Sequence, residues 1–174
     1  LCAQICINSE NPPHPASTEK IQVPEHDRIR IAYLSADFQY HPVALLVTPL
    51  IEQHDRAHFE VFGISFGPES DSPQRQRLRK AFDTFIDVSR MTDAEVVALL
   101  RKNGIDIAVD LMAHTKGARM GIWARRCAPV QVNFLGFAGT SGAPYMDYII
   151  ADKSVIPEEQ QDDYTEKVVY LPDT

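Results

Sequence analysis

RIRIAYLSADFQYHPVALLVTPLIEQHD, residues 28–55, contains the unit on which the predicted fold is built. Its first part, residues 28–35, is rich in Ile and Leu and predicts a buried strand. After a polar turn, residues 41–55 predict a helix. Pro42 suits the first turn of that helix, because its missing N–H leaves no hydrogen bond unmade. A strand that leads directly into a helix is the repeating unit of a parallel α/β sheet.

The same alternation of strands and helices continues along the rest of the chain. Thr92 is expected to cap one of the helices and Gly104 to end it. The strand cores are continuously apolar, which is typical of a sheet covered on both faces. The sequence therefore predicts an α/β fold, with a Rossmann-like, mostly parallel sheet and flanking helices. Further strands are predicted at 58–66, 84–89, 105–113, 129–135, 146–152 and 167–172, and further helices at 72–82, 92–104 and 117–127.

The composition excludes several classes of protein. With 174 residues, 44% of them hydrophobic and 24% charged, the chain suits one soluble globular domain. A net charge of −7 makes nucleic acid an unfavourable partner. No apolar run reaches the ~20 residues that span a membrane. Three sparse cysteines, Cys2, Cys6 and Cys127, favour a reducing, cytoplasmic compartment over a disulfide framework. Because no second pair lies at ligand spacing near Cys2 and Cys6, no metal site is expected.

The amino-terminal part differs in character from the rest. Residues 1–7 look like the end of a helix, and residues 8–27 contain four prolines and predict a linker arm. We therefore divide the chain into an arm, 1–27, and an α/β unit, 28–174. The start at Leu1 and the end just after a predicted strand indicate a segment of a longer protein.

Polar residues follow three of the predicted strands. Open parallel sheets bind ligands beyond the carboxyl ends of their strands, so these loops are expected to meet on one rim. Asp37 can act there as a general base, directly or through water, or can cap the helix that follows. His41 lies at the helix entry, where partial positive charge favours a neutral ring that binds a ligand; capping the helix is its alternative role.

The loop GFAGTSG, residues 136–142, follows the fifth predicted strand. It does not have the G-x-G-x-x-G spacing of the dinucleotide fingerprint. It is not a P-loop either, because it lacks the Gly-Lys-Ser/Thr ending. Gly139 and Gly142 could be present only because glycine permits a positive φ in this long connection. Gly136 directly follows the strand, and its missing side chain would let backbone N–H groups approach a ligand closely.

Other residues near the predicted rim have two possible roles each. His114 and Thr115 either contact a ligand or tie a turn, and Asp110 is expected to be structural. The arginines either bind a phosphate or lie on a solvated helix face, and the solvated face is favoured. Met120 and Trp123 are expected in the core. The arginines concerned are Arg119, Arg125 and Arg126.

Several motifs in this order resemble the O-GlcNAc transferase and SPINDLY family of glycosyltransferases. They include the SADF turn with its HP pair, TKGAR (115–119), RCAPVQ (126–131), GTSG (139–142) and MDYIIAD (146–152). The resemblance covers residues 28–174. It implies the amino-terminal lobe of a GT-B catalytic region, without the carboxyl-terminal lobe that carries most nucleotide contacts. It also implies tetratricopeptide helices upstream.

The resemblance assigns roles to individual residues. Asp37 matches the aspartate that helps to remove the acceptor proton, and His41 matches the histidine that contacts the donor sugar nucleotide. Val43 stands where eukaryotic members have a donor-contacting threonine, whose hydrogen bond a valine cannot make. Further departures are Phe137-Ala138 for the usual Tyr-Pro, and Ala113 for a common glycine. The donor-sugar site would comprise His41, Pro42, Val43, Leu135 and Gly136, with rim contacts from His114, Thr115, Gly139 and Thr140.

The implied reaction is an inverting transfer of GlcNAc from UDP-GlcNAc to Ser or Thr hydroxyls of a polypeptide. The implied partners are the donor, the polypeptide acceptor, the protein's own carboxyl-terminal lobe and the upstream helices; no cofactor or metal is expected. Two alternatives stay open. One is a non-catalytic binding or scaffold module of the same fold, and the other is a transferase with another donor, such as GDP-fucose.

Overall fold

The computed structural model describes residues 21 and 24–172. Within these residues, seven strands form one sheet in the order β3-β2-β1-β4-β5-β6-β7. Every neighbouring pair is parallel, as the alternating sequence pattern predicts. Most of the predicted arm, 1–27, lies outside the described residues. The strands are β1 Ile29–Ser35, β2 Phe59–Ser65, β3 Thr84–Asp87, β4 Ile107–Asp110, β5 Val130–Phe134, β6 Tyr148–Ala151 and β7 Lys167–Tyr170.

Four α-helices connect the strands in this part of the chain, together with a 3₁₀ helix, Glu158–Asp163, that the sequence does not predict. Thr92 caps the third α-helix through a reciprocal box with Glu95, and Gly104 adopts φ 60° just beyond its end. Both predictions about this helix are confirmed. The α-helices are α1 Pro42–Glu52, α2 Pro73–Ala81, α3 Asp93–Lys102 and α4 Met120–Ala124.

The strand order creates a topological switch point between β1 and β4. The chain moves from β1 outward to β2 and β3, and then returns to the other side of β1 to form β4. The connections that leave β1 and β4 therefore run in opposite directions along the sheet. A crevice opens between them at the carboxyl ends, and open α/β sheets bind ligands in this crevice.

Helices cover both faces of the sheet. On one face α1 and α2 pack with Phe38, Ile51 and Leu78, all fully buried. On the other face α3 and α4 pack around Trp123, which is 1% exposed. Met120 lies in the same cluster, so the prediction that both residues belong to the core is confirmed. No helix of the described ranges is long and apolar enough to cross a membrane.

Two neighbouring strands, β4 and β5, end earlier than their apolar runs predict. The run 105–113 yields a strand of only four residues, Ile107–Asp110, and Ala113 turns into the left-handed region with φ 46°. Likewise β5 ends at Phe134, because Leu135 has φ 67°. Left-handed backbone is unfavourable for residues with a side chain and occurs often at functional sites.

Candidate active site

The turns after β1 and β4 are joined by a buried serine. Ser35 Oγ accepts a hydrogen bond from the backbone N–H of Asp37 at 2.9 Å and donates to Met112 Sδ at 3.3 Å. Ser35 is completely buried. The predicted meeting of these two loops on one rim is therefore confirmed, and Asp37 is placed at the switch point.

Asp37 and His41 form the polar pair of this rim. Asp37 Oδ2 lies 3.6 Å from His41 Nδ1, and the two side chains are 18% and 40% exposed. His41 is the N-cap of α1, where its Nδ1 accepts from the N–H of Val43 at 3.3 Å. The alternative in which Asp37 caps this helix is thus wrong, and the capping role predicted as an alternative for His41 is confirmed.

The capping bond determines which hydrogen-bonding atoms of His41 remain available. A ring nitrogen that accepts from Val43 carries no hydrogen, so the neutral ring has its hydrogen on Nε2. That N–H is a donor at the start of α1, where the helix end also favours negative ligand groups. Burial raises the pKa of Asp37 above the ordinary aspartate value, and positive charge on a protonated His41 ring opposes this shift. A carboxylate with a raised pKa is a stronger general base.

Gly136 brings the loop after β5 against the end of β4. A Cβ at this position would overlap the carbonyl oxygen of Leu111, and the N–H of Gly136 donates to Phe134 O at 2.8 Å. The close approach that requires glycine here is therefore one between two segments of the same chain. The neighbouring Leu135 has an exposed side chain, 38% accessible, beside this contact. The predicted contacts of both residues with a sugar stay predictions.

His114 links the loops after β4 and β5. Its Nε2 lies 2.7 Å from the carbonyl oxygen of Ser141, and its ring meets the Phe137 ring edge-on at 5.9 Å. Thr115 instead ties its own turn, since its hydroxyl donates to Met112 O at 2.9 Å. The structure thus gives Thr115 the turn-tying role and places His114 on the rim.

The glycine loop is held by hydrogen bonds of the Thr140 hydroxyl, both within the loop and to residues just before β7. The Thr140 hydroxyl donates to Glu166 Oε2 at 2.6 Å and accepts from the N–H groups of Gly142 and Thr165. These bonds use the hydrogen and both lone pairs of the hydroxyl, so none is left for a ligand. A Cβ on Gly139 would lie 2.7 Å from the Phe137 ring. Of the two glycines predicted to permit positive φ, only Gly142 does so, with φ 65°.

Asp110 is structural, as expected from its position at the end of a strand. It is 1% exposed, and its Oδ1 accepts from the N–H of Met112 at 2.9 Å, which shapes the turn that leads to His114. Burial raises the pKa of Asp110 to about 7. Its register partner on β5 is Asn133, also fully buried.

The arginines neither surround a phosphate site nor form a solvated helix face, so that prediction is wrong. Arg119 is paired with Asp93, its Nη2 lying 2.6 Å from Oδ1. Arg126 is paired with Asp147 at 2.7 Å. Arg125, directly after α4, donates to Gly121 O in that helix. Their partners are 21 to 26 residues away in the two ion pairs, which explains why the sequence pattern does not reveal them.

Candidate metal ligands are not clustered in the part of the chain that the structure describes. No group of three or more His, Cys, Asp or Glu side chains there is placed to hold a metal ion. Cys127 is buried as a free thiol, and burial raises its pKa. Cys2 and Cys6, where no metal site is expected, lie outside the described residues.

Comparison with known proteins assigns this sheet and its rim to a family. The sequence matches the description "Glycosyl transferase family 41" over residues 2–174. The chain belongs to glycosyltransferase family 41. The resemblance seen in the sequence motifs is thereby confirmed.

Relatives of this family 41 chain carry consistent names. It is 36% identical over 173 residues to the probable UDP-N-acetylglucosamine–peptide N-acetylglucosaminyltransferase SEC of Arabidopsis thaliana, covering 98% of this chain and 18% of that protein. It is 30% identical over 164 residues to the probable transferase SPINDLY of the same plant, covering 92% and 18%. A solved lysine-to-methionine mutant of Thermobaculum terrenum O-GlcNAc transferase superposes with a TM-score of 0.87 at 38% identity. That match covers 98% of this chain and 33% of the solved one.

Two residues of the rim are missing from the predicted site. Ser35 could have been found from the sequence. It ends an apolar strand two residues before Asp37, where a serine hydroxyl commonly accepts a hydrogen bond from a backbone N–H two residues on. Met112 has no such signal, since a methionine in an apolar run reads only as core. Its role depends on β1 and β4 being neighbours in the sheet.

Proposed function

We propose that the intact protein containing this family 41 chain transfers GlcNAc from UDP-GlcNAc to Ser or Thr hydroxyls of polypeptides, with inversion at the sugar. The observation that carries the proposal is the Asp37–His41 pair at the switch point of a family 41 sheet. The names of the plant relatives, peptide N-acetylglucosaminyltransferases, support the choice of donor and acceptor. This lobe supplies the acceptor side and part of the sugar pocket.

Asp37 is the proposed general base of the reaction. A hydroxyl is a weak nucleophile and must lose its proton as the new C–O bond forms. The half-buried carboxylate of Asp37, with its raised pKa, takes this proton directly or through one water. His41 Nδ1 lies 3.6 Å from the carboxylate oxygen of Asp37 that takes the proton.

The donor sugar is proposed to lie between the start of α1 and the loop after β5. On one side the Nε2–H of His41 is a hydrogen-bond donor at a helix N-terminus. On the other side are Leu135 and Gly136, which the contact with Leu111 fixes against β4. Groups that stabilise the leaving UDP oxygen are proposed to come from a second lobe. The proposed turnover needs no metal, and we expect it to persist in EDTA.

An assay of the intact protein tests this proposal. The protein is incubated with a Ser/Thr-containing polypeptide and either UDP-GlcNAc or GDP-fucose, and the product is identified by its mass. We expect the GlcNAc adduct only. A fucose adduct alone would replace the proposed donor by GDP-fucose. No adduct with either donor, together with no binding of either in calorimetry, would leave a non-catalytic binding module.

A further inference from the structure

A buried carboxylate outside the predicted site holds the glycine loop. Glu166 directly precedes β7 and is 4% exposed. Its Oε1 accepts from the backbone N–H of Ser141 at 2.7 Å. Its Oε2 accepts from the hydroxyls of Thr140 at 2.6 Å and Thr165 at 3.0 Å. Three donors therefore meet one carboxylate, which offsets the large cost of burying its charge.

The geometry requires a group that only accepts hydrogen bonds. The Thr140 hydroxyl already accepts from two backbone N–H groups, so it has no lone pair for a third donor. The backbone N–H of Ser141 cannot accept at all. An amide in place of the carboxylate would therefore direct its NH₂ group at one of these donors and lose a bond. Glutamate is selected here over glutamine although the two have the same shape.

The hydrogen bonds of Glu166 reach the rim through a single residue, Ser141. Ser141 donates its N–H to Glu166, while its carbonyl oxygen is bonded to His114 Nε2 at 2.7 Å. The loop is held a third time by the Tyr164 hydroxyl, which donates to Ala138 O at 2.8 Å. The segment 164–166 and His114 thus hold the loop between them.

Packing alone does not fix this loop. The two large side chains at its start, Leu135 and Phe137, are 38% and 37% exposed. Leu135 also has the unfavourable φ of 67°, which persists only where its surroundings impose it. Apart from the contact between Gly136 and β4, the support therefore comes from hydrogen bonds, of which those to Glu166 are charge-assisted.

We propose that Glu166 is a positioning residue that locks the loop 136–142 in the conformation that binds the donor sugar. The inference rests on the proposed transferase function. Glu166 itself does not touch the donor; it acts through Thr140 and Ser141 on His114 and on the Leu135–Gly136 turn. Loss of the lock leaves the fold intact and makes the sugar side of the site mobile.

Two variants of the intact protein test the lock without changing side-chain shape. Glu166→Gln removes the acceptor-only character, and Thr140→Val removes the hydroxyl. We expect both to speed amide hydrogen exchange in peptides that contain Ser141, and to raise the donor KM roughly 10-fold with a smaller change in kcat. Because the two changes break the same bond, the double variant is expected to be no worse than the poorer single one.

Matched controls separate the lock from general destabilisation. Thr140→Ser keeps the hydroxyl and is expected to retain most of the exchange protection. Glu158→Gln makes the same chemical change at an exposed glutamate that forms an ion pair with Lys153, and is expected to leave exchange at Ser141 unchanged.

The outcomes distinguish this inference from the proposed function. Unchanged exchange at Ser141 in Glu166→Gln would overturn the lock. Faster exchange with an unchanged donor KM would overturn the positioning role. An inactive wild-type protein would overturn the proposed function instead, and the exchange measurement would still decide whether Glu166 holds the loop.

Discussion

Gly136 lies directly against the carbonyl oxygen of Leu111, so closely that a Cβ on Gly136 would overlap this oxygen. The contact joins the loop after β5 to the end of β4. It fixes the base of the glycine loop at the crevice, while the hydrogen bonds to Glu166 fix its far end. Both ends of the loop are thus determined by residues distant in sequence.

The contact predicts that Gly136→Ala is damaging, whereas Gly139→Ala is mild. The new methyl group of the first variant meets backbone, which cannot move without shifting β4, and we expect a loss of about 1–3 kcal/mol in the free energy of unfolding. The methyl group of the second meets the Phe137 ring, a side chain that can rotate away. Urea unfolding of both variants checks this order, which equal losses would contradict.

His41 is predicted to have a role beyond capping α1. His41→Ala removes both the cap and the ring, so it should lose about 1 kcal/mol of stability and most of the activity. His41→Asn supplies another good N-cap, so its stability should be near wild type while its activity stays low. Thermal unfolding and initial rates separate these effects. Full activity in His41→Asn would show that His41 only caps α1 and has no role in the reaction.

The raised pKa of Asp110 predicts that the stability of the fold depends on pH. Its pKa is raised to about 7 in the fold, so the native state binds this proton more tightly than the unfolded chain does. The stability that this proton contributes is fully present below ~3.9, the pKa of the aspartate in the unfolded chain. It is lost as pH rises from there to about 7, by up to ~1.4 kcal/mol per pH unit.

The variant Asp110→Asn tests this linkage, because its oxygen can still accept from Met112 while its charge is absent. We expect the variant to gain stability relative to wild type as pH rises from 4 to 7, by roughly the slope given above. Urea unfolding at several pH values measures the difference, with Asp163→Asn, at an exposed aspartate, as a control. A difference that does not change with pH would contradict the raised pKa.

Val43 offers a test of donor contact at the first turn of α1. The side chain is 8% exposed beside the His41 cap. Val43→Thr adds a hydroxyl of nearly the same shape, and one new hydrogen bond to the donor would lower its Kd by roughly 2- to 10-fold. Calorimetry with UDP-GlcNAc measures this change. A higher Kd in the threonine variant would contradict a contact between the donor and residue 43.

The sheet could be predicted because its signals are local. Apolar runs such as residues 28–35, a capping threonine at Thr92 and a glycine at Gly104 each act within a few residues of sequence. The ends of β4 and β5 could not be predicted in this way. Ala113 and Leu135 adopt left-handed backbone because the neighbouring loops hold them there, which no propensity of alanine or leucine indicates.

The candidate site was predictable where topology alone determines it. Asp37 and His41 follow a strand whose carboxyl end had to lie on the ligand-binding rim once the sheet was parallel, whereas the crevice itself depends on the strand order. Glu166 was not predictable, because a glutamate before a strand normally faces solvent. Its partners Thr140 and Ser141 are 26 and 25 residues away, and only the fold brings them together.

The proton-transfer role of Asp37 predicts a distinct pH profile. The carboxylate must be charged to act as a base, so kcat/KM should fall as pH decreases through its pKa. Burial raises this pKa, so the acidic limb should lie above the ordinary aspartate value of ~3.9. Asp37→Asn should abolish that limb in any residual activity, and a limb that persists in the variant would assign it to another group.

The most direct test of the account is the turnover of Asp37→Asn in the intact protein, with saturating UDP-GlcNAc and a polypeptide acceptor. We expect kcat to fall by about 10²- to 10⁴-fold, while the donor Kd from calorimetry stays within about 2-fold of wild type. A variant that turns over at the wild-type rate would contradict the assignment of Asp37 as the general base at the β1–β4 crevice.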